Sequence, residues 1–119
     1  TILGDGLFTS GADKIQDLYF PVMAAVGQAL NEVKGRVVVS GYTDDQPISS
    51  TQYPSNWHLS QGRADAIKKI LSTYMNDPAR VRSEGKGAEN PRYPNDSNEN
   101  RAKNRRVEIT VYIQNESSQ

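Results

Sequence analysis

One arginine lies in line with the apolar residues of a predicted amphipathic helix. Apolar residues recur at helical spacing in the segment that follows Ser55. Arg63 stands four residues after Leu59 and four before Ile67, so its side chain shares their face. Its guanidinium could reach past the edge of the core and bind a carboxylate. The alternative is a structural arginine whose stem packs on the core while its head reaches water, and periodicity alone favours that alternative.

An aspartate follows the most apolar predicted strand. Asp44 comes shortly after the run Arg36–Gly41, and loops that leave a central strand commonly bind ligands in α/β folds. Taken alone, Asp44 is better explained as a turn residue that bonds its own backbone. Because the second helix must pack beside the strand it follows, we expect Asp44 and Arg63 to flank one small cleft. The pair fits either a plain salt bridge or a clamp for a zwitterionic ligand.

No other residue pattern indicates an enzyme or a metal site. The chain has no cysteine and a single histidine, which excludes thiolate chemistry and disulfides. Without a nucleophile motif or a second histidine, His58 is expected to be a surface residue at the start of the helix. Asp44 and Asp45 have no further acidic cluster nearby to complete a metal site. We predict a protein without catalytic activity, metal or cofactor.

Four basic residues near the C-terminal end could bind phosphate: Arg101, Lys103, Arg105 and Arg106. Such a cluster is more commonly a solvated loop edge with one or two structural ion pairs. The 14 Lys and Arg residues are balanced by 14 Asp and Glu, so there is no overall basic field. No aromatic residues alternate with the cluster. We therefore predict that the protein does not bind nucleic acid.

The elements that position these residues form a two-layer α/β (α+β) sandwich, with two amphipathic helices over one sheet. Pro21 should either start the first helix near Phe20 or kink it. In chain order, the sequence predicts a short strand in Gly4–Phe8, a helix ending at Gly35, a strand Arg36–Gly41, a helix from about Trp57 to Met75 with Ser55 or Asn56 as its N-cap, a weak strand Arg80–Gly87, a loop Ala88–Asn104 with a helical turn near Glu99–Lys103, and a strand Arg106–Ile113.

Two of the predicted strands have distinct patterns. The β-branched run in Arg36–Gly41 is typical of a central strand buried on both faces. The last strand alternates, which predicts that one of its faces carries Val107, Ile109, Val111 and Ile113.

The length of 119 residues fits one domain, with an ordered core of about 4–113 and a polar tail at 114–119. No apolar run approaches the ~18–20 residues that a membrane span needs. The chain begins at Thr1 rather than Met. We therefore expect a processed protein or a fragment, whose anchors would lie outside this sequence.

Three spaced motifs resemble those of the OmpA-like peptidoglycan-binding domain: GYTDDQPI from Gly41, SNWHLSQGRADAI from Ser55 and NRAKNRRVEI from Asn100. The resemblance covers about Gly4 to Ile113 and implies β-α-β-α-β-β order, a mixed sheet and two main helices on one face. Within this family, the chain looks most like the periplasmic extension of the DotU-like inner-membrane component of type VI secretion. The flagellar stator protein is the nearest rival, with Glu where this chain has His58.

The resemblance implies a ligand and the residues that bind it. The ligand is the diaminopimelate of peptidoglycan stem peptides, with its ammonium on Asp44 and its carboxylate on Arg63. Arg105 would brace Asp44 or its loop. Further contacts would come from the side chain or backbone of Asn56 and Leu59 and from backbone groups of Thr9 and Ser10.

The resemblance also implies a periplasmic location, a parent protein in the inner membrane, other secretion membrane-complex proteins as partners and a homodimer as one arrangement. Two residues depart from the family pattern: Tyr42 replaces the usual histidine and Asp45 the usual asparagine. Three alternatives therefore stay open, namely a protein-interaction module that has lost wall binding, a flagellar stator wall anchor and a small cell-wall hydrolase.

Overall fold

The computed structural model describes residues 2–3, 7–8, 13–46, 53–89 and 91–113. Within these ranges the chain forms four strands and three helices, and two 3₁₀ turns precede α1 and β3. The elements are β1 (Ile2–Leu3), α1 (Phe20–Leu30), β2 (Gly35–Tyr42), α2 (Asn56–Tyr74), β3 (Val81–Gly87), α3 (Asn98–Asn104) and β4 (Arg106–Ile113).

The sheet is mixed, with strand order β1-β4-β2-β3. β2 runs parallel to β3, and α2 is the crossover between them. β4 runs antiparallel to β2, with Tyr42 paired to Arg106 at one end and Gly35 paired to Ile113 at the other. The C-terminal end of β2 and the N-terminal end of β4 therefore lie side by side at the same end of the sheet. This places the residues after Tyr42 beside those before Arg106.

Both long helices cover the same face of the sheet. One apolar cluster joins Met23 and Leu30 of α1, Ile67 and Leu71 of α2, and Val39 of β2. This arrangement confirms the predicted two-layer fold with two main helices on one face.

Local sequence explains where the helices begin. Pro21 lies in the first turn of α1, where a missing amide hydrogen and a fixed φ are tolerated, so it starts the helix and does not kink it. Ser55 is the N-cap of α2, since its side chain accepts a hydrogen bond from the His58 amide. The buried side of α2 contains Leu59, Ser60, Arg63, Ala64, Ile67 and Leu71.

The backbone of α2 lies close against the two parallel strands. A Cβ atom on Gly85 of β3 would lie 2.7 Å from the Gln61 amide nitrogen, and one on Gly41 of β2 would overlap the Ser60 carbonyl oxygen. Side chains of α2 also bond the outer edge of β3, since Gly85 N donates to Gln61 Oε1 at 2.9 Å and Gly87 N donates to Ser60 Oγ at 2.9 Å.

Two strand predictions are corrected by the structure. β2 is not buried on both faces: Val37 and Val39 are buried, but Arg36 is exposed and Val38 is half-buried, because both helices cover one face only. We call the uncovered side the open face; its residues include Arg36, Val38, Ser40, Tyr42, Arg82, Glu84, Lys86, Glu108, Thr110 and Tyr112.

The first strand was predicted too late in the chain. β1 comprises Ile2–Leu3 and pairs with β4, whereas Leu7 and Phe8 are both fully buried. Phe8 pairs with Ile15 in an isolated bridge and does not belong to a strand of the sheet. In β4, Val107 is buried, but Ile113 at the end of the strand is 72% exposed, beyond the cover of the helices.

The close approach of α2 predicts that Gly41→Ala destabilises the fold. The new methyl group would overlap the Ser60 backbone, and overpacking of this kind costs about 1–3 kcal/mol. Urea denaturation would measure the loss. Thr110→Ala, on the exposed side of β4, is the control and should cost less than about 1 kcal/mol. Equal losses for the two variants would contradict the prediction.

Candidate functional site

Asp44 lies just after the end of β2 and is 7% exposed. Its carboxylate accepts two hydrogen bonds, from Arg105 Nη1 at 2.5 Å and from the Gln46 amide at 3.1 Å. The second bond is the turn contact expected of an aspartate in a loop. The first joins two residues far apart in sequence, and it exists because the C-terminal end of β2 and the N-terminal end of β4 lie at the same end of the sheet.

Arg105 is positioned by the buried Asn104, which precedes it. The Asn104 side chain accepts from Tyr93 N at 3.1 Å and donates to Tyr93 O and to Asn95 Oδ1, both at 2.8 Å. These bonds fix the loop before β4, and Ser97 caps the short helix α3 through the Asn100 amide. The Arg105 side chain is 30% exposed, so Arg105 extends from solvent to the covered carboxylate.

Asn56 joins the first turn of α2 to the Asp44 loop. Its side-chain amide donates to the carbonyl oxygens of Asp44 at 3.3 Å and of Gln46 at 2.9 Å. Leu59, one turn further along, is 5% exposed and packs inward. The structure therefore brings both Asn56 and Arg105 into contact with Asp44.

Arg63 is buried, with 6% of its surface exposed. Its guanidinium carbon lies 4.9 Å from the centre of the Phe8 ring, within cation–π range. This differs from the structural alternative, in which the charged head would reach water. Arg63 lies seven residues after Asn56, on the same side of α2.

The ligand-binding roles predicted for these residues stay predictions. Asp44 and Arg63 are each more than nine-tenths covered, so a ligand could touch only a small part of either residue. Thr9 and Ser10 lie outside the described residues.

Sequence reasoning missed Tyr53, which is 5% exposed. Its hydroxyl accepts a hydrogen bond from the Asp13 amide at 3.1 Å. Burial raises the pKa of Tyr53, the Asp13 side chain raises it further, and the positive charge of Arg63 partly opposes that rise. Tyr53 stands in a polar loop without periodic neighbours, so no pattern marks it as a buried residue.

The basic run is divided among separate contacts, with three ion pairs where one or two were expected and with Arg106 buried rather than solvated. Arg105 bonds Asp44, whereas Arg106 is buried, bonds Glu108 at 2.6 Å and lies 3.8 Å from the centre of the Tyr42 ring. Lys103 pairs with Glu99 at 3.7 Å. The run therefore does not form one basic surface.

The remaining sequence candidates have local contacts. His58 is exposed, its Nδ1 lies 2.7 Å from Ser55 Oγ, and its ring packs edge-on against Trp57. Across the described ranges, no group of three or more His, Asp or Glu residues could hold a metal ion. No helix in this part of the chain combines the length and apolar content needed to cross a membrane.

The sequence and the fold match known proteins. The OmpA family model matches residues 7–105. The cell wall anchor of the T6SS from Pseudomonas aeruginosa is 42% identical, with a TM-score of 0.88 over 94% of this chain and 78% of that one. The periplasmic domain of Helicobacter pylori MotB is 30% identical, with a TM-score of 0.82 over 98% of this chain and 83% of that one.

A curated relative is similar over part of its length only. Motility protein B of Helicobacter pylori strain J99 is 39% identical over 92 residues, which are 77% of this chain and 35% of that protein. The chain therefore spans about a third of that relative.

The Arg106–Glu108 contact predicts a pH dependence. Burial alone would raise the pKa of Glu108, but the hydrogen bond and charge of Arg106, together with Arg92, lower it below its ordinary 4.5. A lowered folded-state pKa stabilises the fold above the unfolded value, and this contribution is lost as pH falls through the folded pKa. Glu108→Gln should therefore unfold with a weaker pH dependence below about pH 4.5 than the parent protein.

Urea denaturation at several pH values between about 3 and 6 tests this prediction. Glu32→Gln, in the exposed turn after α1, is the control and should keep the parent pH dependence. If Glu108→Gln leaves the dependence of the unfolding free energy on pH unchanged, Glu108 does not contribute to acid sensitivity.

Proposed function

The chain belongs to the OmpA family, and we propose that it is a non-catalytic peptidoglycan-binding domain that anchors a type VI secretion membrane complex to the cell wall. The observation that carries this proposal is the 42% identity, at a TM-score of 0.88, to the cell wall anchor of the T6SS from Pseudomonas aeruginosa. That likeness extends over 94% of the chain, and the family match over residues 7–105 includes Asp44, Arg63 and Arg105.

The proposed ligand is the diaminopimelate of a stem peptide, which carries an ammonium and a carboxylate on its side chain. Asp44 binds the ammonium, since each of its carboxylate oxygens has one described partner and can accept a further bond. Arg63 binds the carboxylate through its guanidinium. Asn56 and Leu59 shape the pocket, and Arg105 braces Asp44.

The two departures from the family pattern are compatible with this site. Tyr42 lies on the open face, where Arg106 covers its ring, so its bulk points away from the helix-covered side. Asp45 is exposed, and solvent screens its charge. Neither residue therefore argues against ligand binding.

The proposed location is the periplasm, with the parent protein held in the inner membrane. One solved structure that is similar to this chain is the periplasmic domain of Helicobacter pylori MotB. The T6SS anchor is 42% identical over 94% of the chain, against 39% over 77% for Motility protein B of Helicobacter pylori, and this longer likeness favours a secretion complex over a flagellar stator as the parent assembly.

The outer surface of α1 favours a second function, contact with other proteins of the membrane complex. The 11 residues of this helix include no charged side chain. Leu18 just before it is 82% exposed, Val22 is 48% exposed, and Ala25 and Ala29 are exposed at the same helical spacing. An exposed apolar stripe on a surface helix is one of the forms that a protein-interaction site takes.

Wall binding predicts that Asp44→Asn and Arg63→Gln each reduce retention on purified peptidoglycan. A charge-assisted hydrogen bond contributes about 1.5–3 kcal/mol, so affinity should fall more than tenfold. Co-sedimentation with isolated sacculi, with thermal unfolding of each variant, measures the effect. Matched controls are Asp77→Asn, near the opposite end of β2, and Arg82→Gln on the open face.

Three outcomes distinguish the proposals. Loss of retention in the site variants alone supports the diaminopimelate clamp. No retention of the parent protein would reject wall binding and leave the interaction module. New muropeptide products after incubation with the domain would reject a non-catalytic function.

The second function predicts that Leu18→Glu weakens assembly without affecting the wall site. The added charge on the apolar stripe should reduce co-purification of the full-length protein with its membrane complex several-fold. Retention of the variant on sacculi should equal that of the unsubstituted protein. Lys14→Glu, an exposed position that precedes the stripe, is the control for added charge. Unchanged co-purification would exclude the stripe as the contact surface.

A further inference from the structure

Arg63 is enclosed by groups that the proposed clamp does not use. Phe8 lies under its guanidinium at 4.9 Å and is itself 1% exposed, so this neighbour is fixed in the core. Tyr53 is also buried, and the positive charge of Arg63 acts to lower its pKa. One buried ring therefore packs against the guanidinium, and a second buried aromatic side chain lies in its neighbourhood.

Asp13 connects Tyr53 to the turn of α2 that holds Arg63. The Asp13 amide donates to the Tyr53 hydroxyl at 3.1 Å, and the Asp13 side chain raises the pKa of the same hydroxyl. A Cβ atom on Gly62, the residue before Arg63, would lie 3.0 Å from Asp13 Oδ2 and 3.5 Å from Tyr53 Cε1. Asp13 and Tyr53 thus pack directly against the helix backbone beside Arg63.

We propose that Tyr53, held by Asp13, is a positioning residue that fixes the direction of the Arg63 guanidinium and so sets the preference of the site for a free carboxylate. A buried hydroxyl costs free energy unless it is hydrogen-bonded, and a phenylalanine would fill the same space without that cost. The hydroxyl is therefore best explained by the hydrogen bond that it makes to Asp13, next to the turn that holds Arg63. An arginine with long, flexible side-chain torsions forms a two-point bond to a carboxylate only when its guanidinium is held in one orientation.

This inference rests on the proposed function, so the test uses a specificity ratio. The probes are two muropeptides that differ at one group: one carries diaminopimelate with its side-chain carboxylate free, the other has that carboxylate amidated. The parent domain should bind the free form more than tenfold more tightly. Tyr53→Phe should reduce this ratio several-fold, because it weakens the bond to the carboxylate and leaves the Asp44 contact intact. Calorimetric titration gives both affinities.

A purely structural role for Tyr53 predicts a different result, since a loosened fold weakens both muropeptides equally and leaves the ratio unchanged. An unchanged ratio in Tyr53→Phe would therefore overturn the inference. Tyr112→Phe, with a tyrosine that is 52% exposed on the open face, is the matched control and should keep the parent ratio.

A second measurement does not depend on any ligand. Hydrogen exchange of the Arg63 Nε–H, followed by NMR and assigned by its loss in Arg63→Lys, should be slow in the parent domain and at least several-fold faster in Tyr53→Phe. Equal exchange rates would reject the positioning role even if peptidoglycan is bound. If neither muropeptide binds the parent domain, the proposed function fails, while the exchange rates still decide whether Tyr53 holds Arg63.

Discussion

The close contact between the α2 backbone and the two parallel strands sets the geometry of the whole candidate site. Glycine at 41 and 85 lets Ser60 and Gln61 approach within a distance that any side chain would prevent. With the helix held there, its first turn bonds the Asp44 loop through Asn56. Its second turn buries Arg63 against Phe8. A shift of the helix away from the sheet would separate these contacts together.

The adjacent arginines at the start of β4 illustrate how alternation within a strand separates two functions. Arg105, just before β4, bonds Asp44, whereas Arg106 covers Tyr42 and bonds Glu108. One arginine thus completes the candidate site while its neighbour supports the open side of the sheet. Tyr42 lies on the open face, and β2 ends at this residue, so Asp44 belongs to the following loop and is not held to the same face by the strand.

Local signals made much of the fold predictable, including the N-cap at Ser55, the helix start at Pro21 and the strand Arg106–Ile113. They act within a few residues, so sequence alone identifies them. Burial of Arg63 and Tyr53 depends on contacts with Phe8 and Asp13, about 40 to 55 residues earlier in the chain. Such contacts leave no periodic trace. Exposure of the open face depends likewise on where both helices pack.

Coverage of the β3 edge by α2 has a consequence for crowded surroundings. An uncovered edge strand offers its amides and carbonyls to any neighbouring chain, and Gly85 and Gly87 would tolerate such an approach because they carry no side chain. Here their amides already donate to Gln61 and Ser60. At these two positions the edge of the sheet is closed to the addition of a foreign strand, because both outward amides already have partners within the chain.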